Sequence, residues 1–267
     1  MDLSSKAANL PLLKGIALPG QVAIVTGAGA GIGKATAHVL AQAGCKIVVG
    51  DIVPEWGEAT ASELRDGGHE AVAVEMDVAI RSDAQRLAEV ALERFGTIDI
   101  LANIAGLYPA ALVVDMEEEE WDRVLEVNVK GIFNCCQAVI PTMMEKRYGK
   151  VVNIASMDGV RPGLMPGHSG YGNSHYCTSK GAVITFTKCL AAEMAPYGVN
   201  VNALSPGWVR TQHCLSAGRF EEGLKLVPLG RGAEPEEVGQ MILFLVSEAA
   251  SFMTGENVIF SAGAVMD

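Results

Sequence analysis

The sequence predicts a single-domain α/β protein, built on a doubly wound parallel sheet of about seven strands with helices on both faces. Apolar runs alternate with amphipathic helical patterns along the 267 residues, and no linker-like tract interrupts them. The apolar runs are near-continuous in Val, Ile, Leu and Ala. Alternation of this kind is typical of repeated βαβ units, and continuous apolar strands are typical of a sheet that is covered on both faces.

The elements follow one another in a regular order, each strand being an apolar run and each helix an amphipathic one. In the first part of the chain the predicted strands are 21–26, 46–50, 71–76 and 98–102, and the predicted helices are 32–43, 54–66 and 82–95. The second part is predicted to hold a long helix at 117–146, a strand at 151–155, a helix at 176–195, a strand at 199–204, a helix at 235–247 and a last strand at 258–260.

Two segments break this alternation, near residues 157–175 and 208–227. The first is dense in Gly and Pro between Gly159 and Ser174, which excludes regular structure and predicts a wrapped loop. The second has Leu215, Phe220 and Leu224 at loosely helical spacing and is predicted to be a lid. Residues 1–19 are predicted to form a leader on the surface, and 20–267 the catalytic domain, whose two loops provide specificity.

Composition excludes several classes of function. The formal net charge of −11, without a cluster of Lys or Arg, disfavours nucleic-acid binding. No apolar run reaches the roughly 20 residues that a membrane-spanning helix needs, so no membrane partner is expected. The six cysteines form no C-x-x-C pair and indicate a reducing cytoplasm, and the histidines form no metal-binding motif, so no metal site is predicted.

A glycine-rich turn lies between the first strand and the first helix, in Gly27-x-x-x-Gly31-x-Gly33. Missing side chains there let backbone N–H groups approach a pyrophosphate, and the helix presents its positive N-terminal end to the anion. The turn predicts a dinucleotide site that includes Gly29 and Ile32. The alternative is a tight βα turn with no ligand.

The residue that closes the second strand indicates which dinucleotide binds. Asp51 is placed to accept hydrogen bonds from an adenosine ribose, and its charge would repel a 2′-phosphate. Neither Ala28, Ala30 nor Ile52 offers a compensating cation, so NAD is predicted over NADP. Asp51 can also cap the next helix. Asp77-Val78, after the third strand, is predicted to meet the adenine edge or to be only a strand-ending turn.

Tyr176 and Lys180 are four residues apart, so on a helix they project from one face. The spacing alone is usual on an ordinary helix surface. Together with a nucleotide site it indicates redox chemistry at a polarised phenol. A rival, Tyr171, has His175 rather than lysine at the corresponding position, which favours Tyr176.

Several motifs occur here in one order: Thr-Gly-x-x-x-Gly-Ile-Gly, Asn103-Ile104-Ala105-Gly106, Asn128, Ser156, Tyr-x-x-x-Lys and Pro206-Gly207. Because these motifs occur in this order, the chain resembles the short-chain dehydrogenase/reductase family over roughly residues 20 to 260. The resemblance implies a one-domain Rossmann-like fold, NAD(P)-linked oxidation of alcohols or reduction of ketones, and a homo-oligomer, with a tetramer favoured and a dimer possible.

The resemblance also implies roles for individual residues. It implies four catalytic residues: Ser156, Tyr176, Lys180 and Asn128. Ser156 would hydrogen-bond the substrate oxygen, and Asn128 would support a water chain to Lys180. The residues that the resemblance implies will also contact the cofactor are Asn103, Ala105, Gly106, Pro206, Gly207, Val209 and Thr211, together with Tyr176 and Lys180. Ile104 replaces a family asparagine, the gap from Ser156 to Tyr176 is longer than usual, and the ending Phe260-Ser261-Ala262-Gly263 lacks the usual Asp-Gly-Gly.

The mechanism expected from these roles is proton removal by Tyr176, whose pKa the charges of Lys180 and of the nicotinamide ring would lower. The loops are rich in apolar and aromatic residues, which favours a bulky secondary alcohol or ketone such as a hydroxysteroid or bile acid. The alternatives are a polyol, sugar or small cyclic alcohol, or a non-catalytic NAD sensor. The predicted substrate residues are Ser156, Asp158, Met165, Tyr171, Tyr176 and Trp208.

Overall fold

The structure is a computed structural model that describes residues 16–162, 173–216, 218 and 220–266. Across these residues seven strands form one sheet in the order β3-β2-β1-β4-β5-β6-β7, and every neighbouring pair is parallel. The predicted fold class is confirmed.

The strands and helices lie close to the predicted positions. The strands are β1 Val22–Thr26, β2 Lys46–Asp51, β3 Ala71–Glu75, β4 Ile100–Asn103, β5 Gly149–Ile154, β6 Val199–Pro206 and β7 Asn257–Phe260. The helices are α1 Gly31–Gln42, α2 Pro54–Asp66, α3 Arg81–Phe95, α4 Glu118–Leu125, α5 Gly131–Lys146, α6 Met157–Val160, α7 Ser174–Met194, α8 Gln212–Ser216, α9 Phe220–Leu224 and α10 Pro235–Val246.

The predicted long helix at 117–146 is wrong in one respect, because it is not a single α-helix. Helices α4 and α5 are joined by a π-helical segment, Glu126–Lys130. This segment buries Asn128 completely and hydrogen-bonds its side chain to Leu107 and Ser179. π-Helical turns are often found at functional sites, and hydrophobic periodicity does not detect this one because it spans only five residues.

The two irregular segments also contain helical turns. Helix α6 occupies the start of the predicted wrapped loop, where the sequence analysis excluded regular structure, and the predicted lid holds α8 and α9. The side chain of Ser156 caps α6 by accepting a hydrogen bond from Asp158 N at 3.1 Å, which stabilises a turn despite the nearby glycine. Residues 163–172 lie outside the described part of the chain.

The core consists of two apolar layers, one on each face of the sheet. Helices α1, α2 and α10 pack against one face and α3, α5 and α7 against the other. Ile100 and Leu101 are consecutive in β4 and fully buried, yet they belong to opposite layers. A strand buried on both sides needs apolar residues at successive positions, which accounts for the continuous apolar runs in the sequence.

Strand order creates a crevice at one edge of the sheet. From β1 the chain moves outward through β2 to β3, then returns to place β4 on the other side of β1. The segments after β1 and β4 therefore leave the same edge in opposite directions, which is where open α/β sheets bind ligands.

The two ends of the described chain are held in place by hydrogen bonds. Leu18 is buried, and its N–H donates to Ala43 O at 2.8 Å; residues 1–15 of the predicted leader are not described. At the other end, Ser261 Oγ donates to Val265 O and accepts from Val265 N, both at 3.0 Å. These two bonds hold the atypical tail against the sheet. In the described ranges no helix is both long and apolar enough to cross a membrane.

Candidate active site

The glycine-rich turn after β1 is in close contact with the segment after β4. Gly27 has a positive φ of 65°, and a methyl group added there would lie 2.8 Å from Ala105 Cα. Thr26 Oγ1 also accepts hydrogen bonds from Ile104 N at 3.0 Å and Ala105 N at 3.2 Å. The two predicted cofactor segments are therefore joined by backbone contacts at the crevice.

Two further predicted segments meet the same turn. Gly29 N donates to Asp51 Oδ2 at 2.8 Å, so the end of β2 adjoins the turn. A methyl group added at Gly31 would lie 3.2 Å from Thr211 Cγ2, which places the start of the lid there too. Small side chains leave a cradle at this point, and Ala30 provides no side-chain cap for α1. The free N–H groups at the start of α1 face this cradle and suit an anionic pyrophosphate.

Asp51 is held by backbone groups on both oxygens. Its Oδ1 accepts from Val53 N at 2.9 Å and its Oδ2 accepts from Gly29 N. Nowhere in the described ranges does a basic side chain form an ion pair with it. Ile52, next in the chain, is 56% exposed. Trp56, which no sequence pattern singled out, lies beside the same cradle, because a methyl group on Gly29 would come within 2.7 Å of its Cβ.

Asp77 and Val78 use their side chains within the protein. Asp77 Oδ2 accepts from Arg123 Nη2 at 2.7 Å, and its Oδ1 accepts from Ala79 N at 2.9 Å. Val78 is buried against Gly131, where an added methyl would lie 2.6 Å from Val78 Cγ2. These contacts favour the strand-ending turn over a side-chain contact with adenine.

The turn after β4 is supported from inside the protein. Asn103 is buried, and its Nδ2 donates to Asn153 Oδ1 at 2.9 Å. Asn153 Nδ2 in turn donates to Thr187 Oγ1 at 3.0 Å. The side chain of Asn103 therefore points away from the cradle and holds the turn from behind.

Ser156, Tyr176 and Lys180 lie together, as predicted, at the carboxyl end of β5. The Ser156 side chain lowers the pKa of the Tyr176 phenol, so the two side chains adjoin each other. Lys180 Nζ lies 5.7 Å from the centre of the Tyr176 ring and donates to Ile154 O at 2.8 Å. Helix α7 carries both Tyr176 and Lys180, so their spacing of four residues puts them on one face.

The pKa values in this group are dominated by burial. Burial lowers the pKa of Lys180 to about 8. Burial also raises the pKa of the Tyr176 phenol; the charges of Asp158, Tyr108 and Cys177 act in the same direction, and only the Ser156 side chain opposes them. In the chain by itself desolvation outweighs every other influence on this pKa, and the lowering expected from Lys180 together with the nicotinamide ring stays a prediction. The phenol is therefore protonated at neutral pH.

Asn128 lies behind Lys180. Its Nδ2 donates to Leu107 O at 2.8 Å and to Ser179 Oγ at 2.9 Å, while its Oδ1 accepts from Leu107 N at 2.8 Å. A methyl group on Gly106 would lie 3.2 Å from Asn128 Oδ1 and 3.5 Å from Lys180 Nζ. The second lone pair of Oδ1 remains available to another donor beside the lysine.

Tyr108 is a site residue that sequence reasoning missed. Its ring centre lies 6.1 Å from that of Tyr176 and 4.4 Å from that of His213. Burial raises the pKa of its hydroxyl to about 12, and the neighbouring Thr211 side chain acts in the opposite direction. Tyr108 therefore connects the segment after β4 to the lid. Its position, two residues after the Asn-Ile-Ala-Gly motif, was the only signal available.

The remaining predicted residues differ in what they contact. Val209 is buried and pairs with Ala233. Pro206 ends β6, and Gly207 packs on Ser261, whose Cα would lie 3.0 Å from an added methyl. Met165 and Tyr171 lie outside the described residues.

The ring of Trp208 packs within the lid. It lies 6.3 Å from the ring of Phe220, and a methyl group on Gly223 would lie 2.1 Å from Trp208 Cε2. In the parts of the chain that the structure describes, no group of three or more His, Cys, Asp or Glu residues is arranged to hold a metal ion.

Comparison with known proteins decides the family. A sequence model of the family described as enoyl-(acyl carrier protein) reductase matches residues 27–264. The chain is 38% identical to the 3-oxoacyl-[acyl-carrier-protein] reductase FabG of Thermotoga maritima, over 93% of this chain and 99% of that protein. The chain belongs to the short-chain dehydrogenase/reductase family.

Other members of the short-chain dehydrogenase/reductase family agree in sequence and in shape. A 3-oxoacyl-[acyl-carrier-protein] reductase of Synechocystis is 39% identical over 94% of this chain and 99% of its own. The crystal structure of a short-chain type dehydrogenase/reductase from Mycobacterium marinum superposes with a TM-score of 0.88 at 32% identity, over 94% of this chain and 98% of that one. The chain is thus an oxidoreductase of a family that uses a nicotinamide cofactor.

Proposed function

We propose that this protein is an NAD(H)-dependent oxidoreductase that interconverts a secondary alcohol and a ketone. The observation that carries the proposal is the grouping of the Ser156 hydroxyl, the Tyr176 phenol and the buried Lys180 amine at the carboxyl end of β5. It lies at the crevice where the glycine-rich turn, Asp51 and Thr211 meet. A non-catalytic NAD sensor would have no need of a phenol, a hydroxyl and an amine arranged around one point.

Each residue of the group has a part in the chemistry. In ketone reduction Tyr176 donates its phenolic proton to the carbonyl oxygen, which Ser156 also binds. Lys180, with its pKa near 8, returns a proton to Tyr176 from solvent. Asn128 holds Ser179 and the turn at Gly106 in place through its hydrogen bonds. Its Oδ1 would also accept a hydrogen bond from a water behind the lysine. The raised pKa of Tyr176 favours the protonated acid that reduction requires.

The cradle fits a dinucleotide. The N–H groups of the glycine-rich turn and α1 would hold the pyrophosphate, Asp51 the adenosine ribose, and Lys180 the nicotinamide ribose. Bound there, NADH or NAD supplies or accepts the hydride. The relatives' names specify a reaction and not a cofactor, so the choice of NAD over NADP rests on Asp51, which would repel a 2′-phosphate.

The substrate that the site favours is bulky and largely apolar, such as a hydroxysteroid or bile acid. Tyr108 and His213 contribute aromatic surface beside Tyr176, which suits an apolar substrate. The similarity to 3-oxoacyl-[acyl-carrier-protein] reductases favours a second candidate, reduction of a 3-oxoacyl thioester.

Initial rates with purified enzyme test these proposals. NADH oxidation is followed with a steroid ketone, a cyclic ketone, a keto sugar and a 3-oxoacyl thioester, and the series is repeated with NADPH. We expect the cyclic or steroid ketones to give the highest kcat/KM with NADH. Highest activity on the thioester would support the second candidate instead, activity on the sugar alone would reject both, and a preference for NADPH would overturn the role of Asp51.

We further propose a cytoplasmic homo-oligomer, with a tetramer favoured over a dimer. Val114 is 88% exposed and Phe252 is fully exposed in the single chain, and burial of such side chains favours association. Light scattering of the purified protein tests this, since a monomer at micromolar concentration would contradict it.

A further inference from the structure

Asp158 lies beside the group that Ser156, Tyr176 and Lys180 form. It is the second residue of α6, and its backbone N–H donates to Ser156 Oγ. The charge of its carboxylate raises the pKa of both Tyr176 and Cys177, so it acts directly on the start of α7. None of the catalytic steps proposed above uses it.

The position of Asp158 is set by close backbone packing. A methyl group added at Gly159 would lie 2.6 Å from the carbonyl carbon of Lys180 and 2.8 Å from Gly181 N. Helix α6 is therefore pressed against α7 with no room for a side chain between them. The backbone of Asp158 therefore cannot move away from α7 without separating the two helices.

The carboxylate of Asp158 has no partner among the residues that the structure describes. No hydrogen-bond donor and no basic side chain in those ranges reaches its oxygens. The carboxylates of Asp51, Asp77 and Asp99, in contrast, each accept from a backbone N–H. Burial raises the pKa of Asp158 to about 6, so the group is mostly ionised at neutral pH. A partly buried charge without a partner costs free energy unless a ligand supplies one.

We propose that Asp158 selects the substrate by accepting a hydrogen bond from a hydroxyl or ammonium group carried one or two bonds away from the reacting carbon. This rests on the proposed function, because the reacting carbon is defined by Ser156 and Tyr176. The substrate class is thereby narrowed to α-hydroxyketones and vicinal diols, or the corresponding aminoketones and amino alcohols, on an apolar body.

The same carboxylate disfavours other substrates. A substrate carboxylate or phosphate next to the carbonyl would meet a like charge. A purely apolar ketone would remove water from the carboxylate and provide no donor in exchange. Both effects increase discrimination in favour of a substrate with a donor at this position.

Matched pairs of ketones test the proposal. Initial rates of NADH-linked reduction are measured for cyclohexanone against 2-hydroxycyclohexanone, and for acetophenone against 2-hydroxyacetophenone and 2-aminoacetophenone. The enzymes are wild type, Asp158→Ala, Asp158→Asn and the control Asp66→Asn, which removes an exposed carboxylate at the far end of α2. The readout is the ratio of kcat/KM within each pair.

In the wild type we expect the donor-bearing ketone to be preferred by about tenfold or more, the equivalent of one hydrogen bond to a charged group. Asp158→Ala should bring the ratio close to one, while Asp66→Asn keeps the wild-type ratio. Asp158→Asn, whose amide oxygen still accepts, should retain the preference for hydroxyl and lose that for ammonium. This variant distinguishes the two donors.

Two outcomes overturn the proposal in different ways. Equal kcat/KM within every wild-type pair, or a preference that Asp158→Ala and Asp158→Asn both leave unchanged, rejects the role of Asp158 and leaves the proposed function intact. Absence of turnover by the wild type on every ketone, including the steroid ketone and the 3-oxoacyl thioester, with NADH and with NADPH, rejects the proposed function and this inference with it.

Discussion

The ammonium nitrogen of Lys180 lies 5.7 Å from the centre of the Tyr176 ring, and its hydrogen bond goes to Ile154 O rather than to the phenol. Lys180 is buried and Tyr176 is partly buried in this arrangement. Burial disfavours the charged form of each, so the pKa of the lysine falls and that of the tyrosine rises. At neutral pH the pair therefore holds a protonated phenol and a mostly protonated amine, and both can give up a proton in ketone reduction.

Replacing Tyr176 with Phe removes the proton donor and leaves the ring in place. We expect kcat for ketone reduction to fall by about 10²–10⁴-fold, the usual contribution of a general acid. NADH affinity, measured by fluorescence titration, should stay within a few-fold of wild type. Tyr148→Phe, which alters a tyrosine hydrogen-bonded to Gln21 and Glu248, is the matched control. Undiminished turnover by Tyr176→Phe would refute the assignment.

Replacing Asp51 with Ala removes the charge expected to contact the adenosine ribose. The ratio of kcat/KM for NADH over NADPH should fall by about tenfold or more, because a hydrogen bond to a charged group and the repulsion of a 2′-phosphate are lost together. Asp66→Ala controls for the loss of one negative charge elsewhere on the surface. A ratio that stays at the wild-type value would mean that other residues choose the cofactor.

Lys180→Met should change how stability depends on pH. The pKa of Lys180 is about 8 in the folded chain and 10.5 as the ordinary value, so between these pH values the unfolded chain binds a proton that the folded chain releases. Wild-type stability therefore contains a penalty that is full below pH 8 and disappears as the pH rises to 10.5. The penalty is about 3 kcal/mol from the size of the shift, partly offset by the bond to Ile154 O.

Urea unfolding of wild type and Lys180→Met across this pH range measures the effect. The difference in unfolding free energy should move in favour of wild type as the pH increases. Lys188→Met, which removes an exposed ammonium from the same helix, controls for the change of charge. A difference that does not vary with pH would show that Lys180 is not desolvated as its burial indicates.

Gly33→Ala should disrupt the cradle. The added methyl would lie 2.0 Å from Gly27 O, so the backbone must shift, and overpacking of this kind costs about 1–3 kcal/mol or more. NADH affinity should fall together with stability. Gly181→Ala, in α7, brings its methyl no closer than 3.6 Å to Gly159 O and should stabilise the helix by about 0.5–1 kcal/mol. Wild-type stability and affinity in Gly33→Ala would contradict the geometry of the turn.

Residues fixed by short-range patterns were predicted well. The placement of Tyr176 and Lys180 on one face follows from their spacing on a helix. The placement of Gly27 and Gly33 follows from their position between a strand and a helix. Contacts between distant parts of the chain were not predictable in the same way. Arg123 donates a hydrogen bond to the carboxylate of Asp77, and the ring of Tyr108 packs against the ring of His213. No local pattern encodes those pairs.

The sequence by itself determined the sheet, the order of its elements and the family, because apolar periodicity and motif spacing are properties of neighbouring residues. Tertiary structure alone decided the direction of the Tyr176 pKa, the π-helical burial of Asn128 and the absence of a partner for Asp158 among the described residues. Each of these depends on how much water and which distant groups surround a side chain. Desolvation and long-range pairing arise only when the chain has folded.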